Sequence, residues 1–408
     1  MTYDLTWAPH IPLIGGFPLG AEMALGKPPV EIYSLPGFGG NDLHYVNYQQ
    51  KTLGRNIAYT SIEPDDYSFR QKVNIIVATP PCAALSQLNT GKKPEAKGAG
   101  CAKNDFMYMV VDHGVKCFDA DVIIIENAPA LFTSKGEAVA KRLEELAYSH
   151  GRSISFYKTS TIYHGIPQAR DRTFAFIWKL EYAPILKWYK RPYEKFADYL
   201  NQVPVNSIQQ DIVVNPKVAD ECFYQFMKHK LGKNDCREDI RAIGKKTAFQ
   251  WVDKTGSLDE AIAWFYHTGN ERGIKVAEHA KKKQEMGMGI WDGSVHIASE
   301  YTQAWIGRNM NDTIHPSEDR SLTIRESLHM MGFPHDFELL GGRKNVNMIA
   351  QNVPTCTARD MVVEAAEAIV GNRESSWLKL FKQNNHNETF VTPIEEIVST
   401  LESLFEVV

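Results

Sequence analysis

The sequence predicts an α/β protein with a doubly wound sheet, interrupted by an inserted second domain. Three observations predict it. Strand-like and helix-like segments alternate from Tyr3 onward. Two of the strand-like runs, Val73–Ala78 and Asp121–Asn127, are apolar and rich in β-branched residues, as buried strands are. From about Glu181 to Glu318 the chain no longer reads as part of a sheet.

In order, Tyr3–Ala8 alternates as a short strand, and the turn His10–Gly20 leads into a helix over Ala21–Leu25. Val30–Leu35 is the second strand, Pro36-Gly-Phe-Gly-Gly40 a loop, and Asn41–Leu53 a helix capped by Asn41 or Asp42. Ile57–Ile62 is the third strand, ending at Glu63, and Val73–Ala78 is the fourth. Two prolines stop that strand, and Cys82 follows them. A cysteine there faces the crevice outside the strand ends, a good place for a nucleophile. Taken alone, a Pro-Pro-Cys is more often just a small buried hydrophobe. The glycine-containing loop Asn89–Asn104 carries Lys92, Lys93, Lys97 and Lys103 against Glu95. It reads either as a solvated surface loop or as a basic lid closing on a phosphate backbone, and its place directly after Cys82 favours the lid.

Asp105–Phe118 is a helix, and Asp121–Asn127 is a buried strand with Glu126 at its carboxyl end, either a cap or an acid poised in the crevice. Gly136–His150 is a charged amphipathic helix and Ser153–Thr159 a strand. Gln168, Arg170 and Arg172 then enter a strand at alternate positions, which puts three donors on one face. Such a face suits a phosphate or a planar base edge, or else forms a surface ion-pair strip.

Composition narrows the classes. The 408 residues suffice for two domains with proper cores, and a charged fraction of 23% with 43% hydrophobic residues argues against wholesale disorder. The six cysteines have no paired spacing and the N-terminus lacks signal-peptide regions, so a cytoplasmic protein with reduced thiols is expected. No apolar run approaches a membrane span, and no metal is expected. A net charge of −4 argues against coating nucleic acid by bulk charge but leaves room for a local basic groove.

Pro80-Pro81-Cys82 with Ser86, Glu126-Asn127, and Gln168, Arg170 and Arg172 are followed by Arg320-Ser-Leu-Thr-Ile-Arg325-Glu326 with Gly332-Phe-Pro334. Gln351-Asn352-Val353-Pro354 then precedes a helix over Ala358–Val370. In order and spacing this set resembles the DNA cytosine-5 methyltransferase family, up to about Val370. The resemblance implies a Rossmann-like S-adenosylmethionine-dependent methyltransferase with an inserted smaller target-recognition domain. The expected division is 1–180 catalytic, 181–318 recognition, 319–371 return to the catalytic domain and 372–408 C-terminal extension. The chain departs from the family pattern at Ala83, where Gln is usual, and at Leu85, where an aromatic is usual. Its last motif is one residue short or shifted, leaving Asn352 or Gln351 in the Asn role.

The resemblance also implies the chemistry. A Cys82 thiolate, favoured by nearby Arg side chains, adds to cytosine C6 and makes C5 nucleophilic. Glu126 protonates or hydrogen-bonds N3 and the exocyclic amine, and Arg172, with Arg170, holds O2 and a neighbouring phosphate. C5 takes the methyl group of S-adenosylmethionine, and loss of the C5 proton expels Cys82. The target base is flipped out of double-stranded DNA, with the loop after Cys82 closing behind it. Ser86, Lys92, Lys93, Lys97 and Gln168 are the expected DNA contacts. The same chemistry on RNA and a catalytically silent DNA-binding relative remain open alternatives, and the intact set Cys82, Glu126 and Arg172 argues against the second. The implied setting is the cytoplasm of a bacterial or phage-infected cell.

The cofactor turn admits two registers. Pro36–Gly40 looks most like the family's glycine-rich turn, but Glu63 would then lie only about ten residues before the Cys82 strand, too few for a helix and a strand. Placing the turn at Leu13–Gly20 restores the β-α-β-α-β order and is preferred. It makes Ile14, Gly15, Gly16, Phe17, Leu35, Glu63, Asp65, Pro80, Asn352 and Val353 the expected cofactor contacts.

In the middle region Trp188–Arg191, Phe223–Lys233, Lys245-Lys246 and Lys281–Lys283 are the basic or aromatic clusters, and Gly287–Gly293 is a loop suited to reading bases. Solvated helix faces are the plainer reading of the basic clusters, favoured for Lys281–Lys283. Pro393–Val408 is an acidic amphipathic helix with Ile394, Ile397, Leu401 and Leu404 on one face, expected to pack back on a monomer, with a dimer surface as the alternative.

Overall fold

A computed structural model of the chain describes residues 3–81, 85, 100–216, 222–243, 257–289, 295–298, 300–305, 312–386 and 389–390. It divides into two compact units. One is Met1–Tyr193 with Met330–Glu338 and Asn352–Val408, the other Glu194–His329 with Leu339–Gln351.

The first unit is built on a nine-stranded sheet. Its strands are β1 (Trp7–His10), β2 (Ile32–Ser34), β3 (Tyr59–Ser61), β4 (Ile75–Ala78), β5 (Val122–Asn127), β6 (Ser153–Ser160), β7 (Asp171–Trp178), β8 (Leu380–Asn384) and β9 (Thr389–Phe390). Their spatial order is β9-β8-β6-β7-β5-β4-β1-β2-β3. Strands β1 to β5 run parallel, and β7 lies antiparallel between β5 and β6. The order reverses between β1 and β4, the switch point where open α/β sheets bind ligands.

Both faces of the sheet are covered, so the central strands carry no polar alternation. Ile76, Ala78, Ile123 and Ile125 point to one core with Met107, Val110 and Val111 of helix α3 (Asp105–Lys116) and Val139 and Leu143 of α4 (Glu137–Ser149). Ile75, Val77, Val122 and Ile124 point to the other, with Phe17 and Ala21 of α1 (Gly16–Leu25) and Met361, Val362 and Ala365 of α5 (Thr355–Ile369). Helices α1 and α5 approach so closely that a Cβ on Gly20 would lie 2.5 Å from Ala358 Cβ. Helix α1 starts at Gly16 rather than Ala21, and Pro18 is tolerated because it sits in the first turn, where a missing N–H costs nothing.

Helix α2 (Gly39–Asn47) continues in a π-helical turn, Tyr48–Thr52. Its N-cap is Phe38, with no side-chain cap, so neither Asn41 nor Asp42 fills the capping role expected of it.

Three segments fall elsewhere than the sequence division put them. Residues 181–193 belong to the first unit, because Ala183, Leu186 and Tyr189 pack into its core and Arg191 pairs with Asp360 at 2.9 Å. Residues 319–329 and 339–351 belong to the second, where Val214 N–H donates to Leu322 O (2.8 Å), Ile324 N–H to Ile212 O (2.8 Å) and Gln209 Nε2 to Leu339 O (2.9 Å). The C-terminal extension starts by joining the sheet, as β8 pairs in parallel with β6. Residues 391–408, including the expected amphipathic helix, lie outside the described residues.

The described residues of the second unit are mainly helical. Helices Cys222–Leu231, Arg237–Ile243, Leu258–Thr268 and Glu271–Glu285 enclose Tyr224, Phe226, Met227, Ile240, Phe265 and Ala277. Ser257 and Asn270 cap the last two by accepting from Glu260 N–H (3.2 Å) and Gly273 N–H (2.8 Å). Lys281 pairs with Asp259 across that helix pair. Lys245, Lys246 and residues 290–294 of the expected base-reading loop lie outside the described residues.

Candidate active site

Ala78 pairs with Ile125, so β4 ends one residue short of Glu126, and Thr79-Pro80-Pro81 carries the chain past the end of β5. Cys82, Ser86, Lys92, Lys93 and Lys97 lie outside the described residues. Leu85, just beyond Cys82, is buried in the α3–α4 core.

Glu126 is only 1% exposed. Its Oε1 lies 2.5 Å from Nε of Arg172, which sits two residues before its β-ladder partner Phe174 on β7. Burial raises the Glu126 carboxyl above the usual carboxylate range, against the opposing pull of Arg172 and then Arg170. Burial makes this carboxyl a better proton donor than a free one, while the neighbouring guanidinium is a fixed positive charge.

Alternation does not give Gln168, Arg170 and Arg172 one common role. Arg172 meets Glu126 and donates from Nη1 to Asp171 O (2.7 Å). Arg170 is buried and donates from Nη2 to Asn352 O at 2.8 Å. Gln168 is fully buried, and neither end of its amide has a partner among the described residues.

The chain from β1 to α1 makes a tight turn at the switch point. Ile11 and Leu13 take left-handed φ values of 58° and 51°, and Gly15 one of 112°. Gly16 N–H donates to Asn352 Oδ1 at 2.8 Å, and a Cβ on Gly16 would lie 2.0 Å from Val353 O. Asn352 is therefore the residue that meets the turn, while Gln351 is exposed. Ile14 is buried, and Phe17 turns into the core with its ring edge-on to Phe174 (5.7 Å). Leu35 and Pro80 follow β2 and β4 and are buried, whereas Glu63 and Asp65, after β3, are exposed. Gly39 is open, with only Tyr59 Oη at 3.7 Å from an added Cβ.

A nucleoside cofactor with an amino-acid tail fits this edge. The turn is tight and lies at the switch point, the amino end of α1 favours a carboxylate, and Thr79 Oγ1 is buried at the end of β4 without a partner among the described residues. No group of three or more potential metal ligands occurs among the described residues, and no described helix is long and apolar enough to cross a membrane.

Two buried polar contacts were not expected from the sequence. Asp42 Oδ1 accepts Leu13 N–H at 3.1 Å, and burial pushes its carboxyl up to about 7. His10 Nε2 meets His113 Nδ1 at 3.0 Å, and burial drives His10 down to about 3 and lowers His113 as well. Helix periodicity marks Asp42 only as an acid in a first turn, and nothing local signals the histidine pair.

Residues 14–370 match the family described as C-5 cytosine-specific DNA methylase. The chain is 25% identical over 307 residues to the type II methyltransferase M.Bpa9945I of Bacillus paralicheniformis, an alignment covering 68% of this chain and 66% of that one. It thus spans about two thirds of the length of that curated relative. Among solved structures, the Entamoeba histolytica methyltransferase EhMeth superposes with a TM-score of 0.54 at 10% identity, covering 90% of this chain and 98% of that one. A prophage-encoded E. coli protein assigned as a DNA modification methyltransferase gives a TM-score of 0.53 at 15% identity, with 90% and 99% coverage. At these identities the structural likeness concerns the fold alone, an α/β Rossmann-like sheet.

Proposed function

The chain belongs to the family of C-5 cytosine-specific DNA methylases, and from that premise we propose that it methylates C5 of a flipped-out cytosine in double-stranded DNA through a covalent Cys82 adduct. The observation that carries the proposal is the buried Glu126 carboxyl at the end of β5, raised by burial and 2.5 Å from Arg172, beside the point where the chain leaves β4 for Cys82.

Cytosine C5 is a weak nucleophile, so the ring must first be activated. Cys82 adds to C6, and the electron pair displaced onto the ring is accommodated as Glu126 delivers its proton to N3. Arg172 offsets the charge developing at O2 in a pocket where water no longer screens it. The Ile11–Gly16 turn and Asn352-Val353 would hold S-adenosylmethionine, which when bound would supply the methyl group to C5 as its methyl–sulfur bond breaks. Transfer of the C5 proton to water, with the N3 proton returning to Glu126, then restores the ring and releases the Cys82 thiolate. Because C6 is stacked inside a duplex, the base must leave the helix first, and the lysines after Cys82 supply phosphate contacts behind it. The second unit supplies sequence selection.

Incubation with S-adenosylmethionine and mixed-sequence duplex DNA, followed by base-resolution methylation sequencing, tests the reading. It predicts 5-methylcytosine at a defined site. Methylation confined to matched RNA, or none on either, would contradict it.

A further inference from the structure

Ile11 and Leu13 both adopt the left-handed conformation, which a side-chain-bearing L residue enters only at a cost, and most steeply when it is β-branched. Such strain persists only where the surroundings over-determine it. Gly15 N–H closes the turn onto Pro12 O at 3.0 Å, and Ile11 N–H is held by Tyr33 O at 3.1 Å. Leu13 N–H is held by the Asp42 carboxylate, 3.1 Å away on α2.

Asp42 is poorly explained as a stability device. It is fully buried, no ion pair to it occurs among the described residues, and it does not cap its helix. Its other oxygen accepts from Tyr59 Oη on β3 at 3.0 Å, so the carboxylate is fixed from two elements while it grips a third. A buried acid without a cation costs stability, and a feature that costs stability is expected where function needs it.

We propose that Asp42 is a positioning residue for the cofactor: by gripping Leu13 N–H it holds the strained Ile11–Gly16 turn in the shape that receives S-adenosylmethionine. The inference rests on the reading of that turn as the cofactor site. Asp42 acts through the backbone of Leu13 rather than on the reacting groups. Its loss therefore weakens cofactor binding and leaves the chemical step alone. Glycine takes a φ of 51° without a Cβ clash, so Leu13→Gly relieves the strain and makes the grip unnecessary.

Calorimetric titration of S-adenosylmethionine, with kcat at saturating cofactor and duplex DNA, tests this in the full chain. Asp42→Ala is expected to weaken binding about tenfold or more with kcat kept within about twofold. Asp42→Asn, whose amide oxygen still accepts from Leu13, keeps near-native affinity. Leu13→Gly restores affinity to Asp42→Ala. If Asp42→Ala alone does not fold, the comparison moves to the Leu13→Gly background, where removing the carboxylate changes affinity by less than about twofold. Native affinity in Asp42→Ala together with lost affinity in Gly16→Val would overturn the role of Asp42 alone, as would failure of Leu13→Gly to rescue. Native affinity in both Asp42→Ala and Gly16→Val would overturn the cofactor reading beneath it.

Discussion

Valine at Gly16 removes the close approach on which the cofactor turn depends. A Cβ there would lie 2.0 Å from Val353 O, 2.9 Å from Asn352 Oδ1 and 3.1 Å from Val353 C. Two of these are backbone atoms, so no rotamer change relieves the clash, and either the turn or the Asn352-Val353 segment must move. Overpacking of this kind costs about 1–3 kcal/mol, and losing the 2.8 Å bond from Gly16 N–H to Asn352 adds about 1 kcal/mol. Displaced wholly onto the cofactor-bound shape, about 2–4 kcal/mol corresponds to between about 30-fold and about 700-fold in affinity. Gly39→Val is the matched control, because its added Cβ meets only Tyr59 Oη, at 3.7 Å. Calorimetry with S-adenosylmethionine, on variants shown to be folded by circular dichroism, decides between the two glycine-rich turns. Intact affinity in Gly16→Val with none in Gly39→Val would refute the assignment.

Glu126→Gln keeps the shape of the side chain but removes proton donation, so single-turnover methylation should fall by about 10²-fold or more while cofactor affinity stays; normal turnover would reduce Glu126 to a structural role. Burial raises Asp42 from 3.8 to about 7, so the folded chain keeps a proton that the unfolded chain releases. This group's stabilisation is complete below about pH 4 and is lost as pH rises through about 7, at up to about 1.4 kcal/mol per pH unit. Urea unfolding at pH 5 and pH 7 should therefore show a slope that Asp42→Asn abolishes, and parallel slopes would contradict it. Neutralising Lys92, Lys93 and Lys97 should weaken binding to all duplexes alike and flatten the salt dependence by about 0.9 in log–log slope for each phosphate left without its lysine; a changed site preference would mean that these lysines read sequence.

The central strands were legible because Val73–Ala78 and Asp121–Asn127 are buried on both faces, which leaves their apolar runs unbroken. Glu126 at a strand end was legible for the same reason. What lay beyond reach was set by distant contacts. Gly16-Phe-Pro reads locally as a turn, and it becomes helix because Gly20 lets α1 settle onto Ala358. Strand β8 hides behind Lys382 and Asn384 on its half-buried face and Gln383 on its buried one, where the Gln383 amide accepts from Leu186 N–H and donates to Leu186 O. Alternate spacing put Arg170 and Arg172 on one face, yet Arg170 is claimed by a carbonyl 182 residues away. Asp42 looked like a cap because Asn and Asp are favoured at that position, and only the folded chain brings it to Leu13.

The central claim, a covalent Cys82 adduct resolved by loss of the C5 proton, is tested most directly with duplex DNA carrying 5-fluorocytosine at the methylation site. Fluorine cannot leave as a cation, so after methyl transfer the adduct should persist as a denaturation-resistant protein–DNA band, dependent on S-adenosylmethionine and absent from Cys82→Ala. Peptide mapping should place the cross-link on Cys82. Trapping that survives in Cys82→Ala, or that maps to Cys101, would contradict the account.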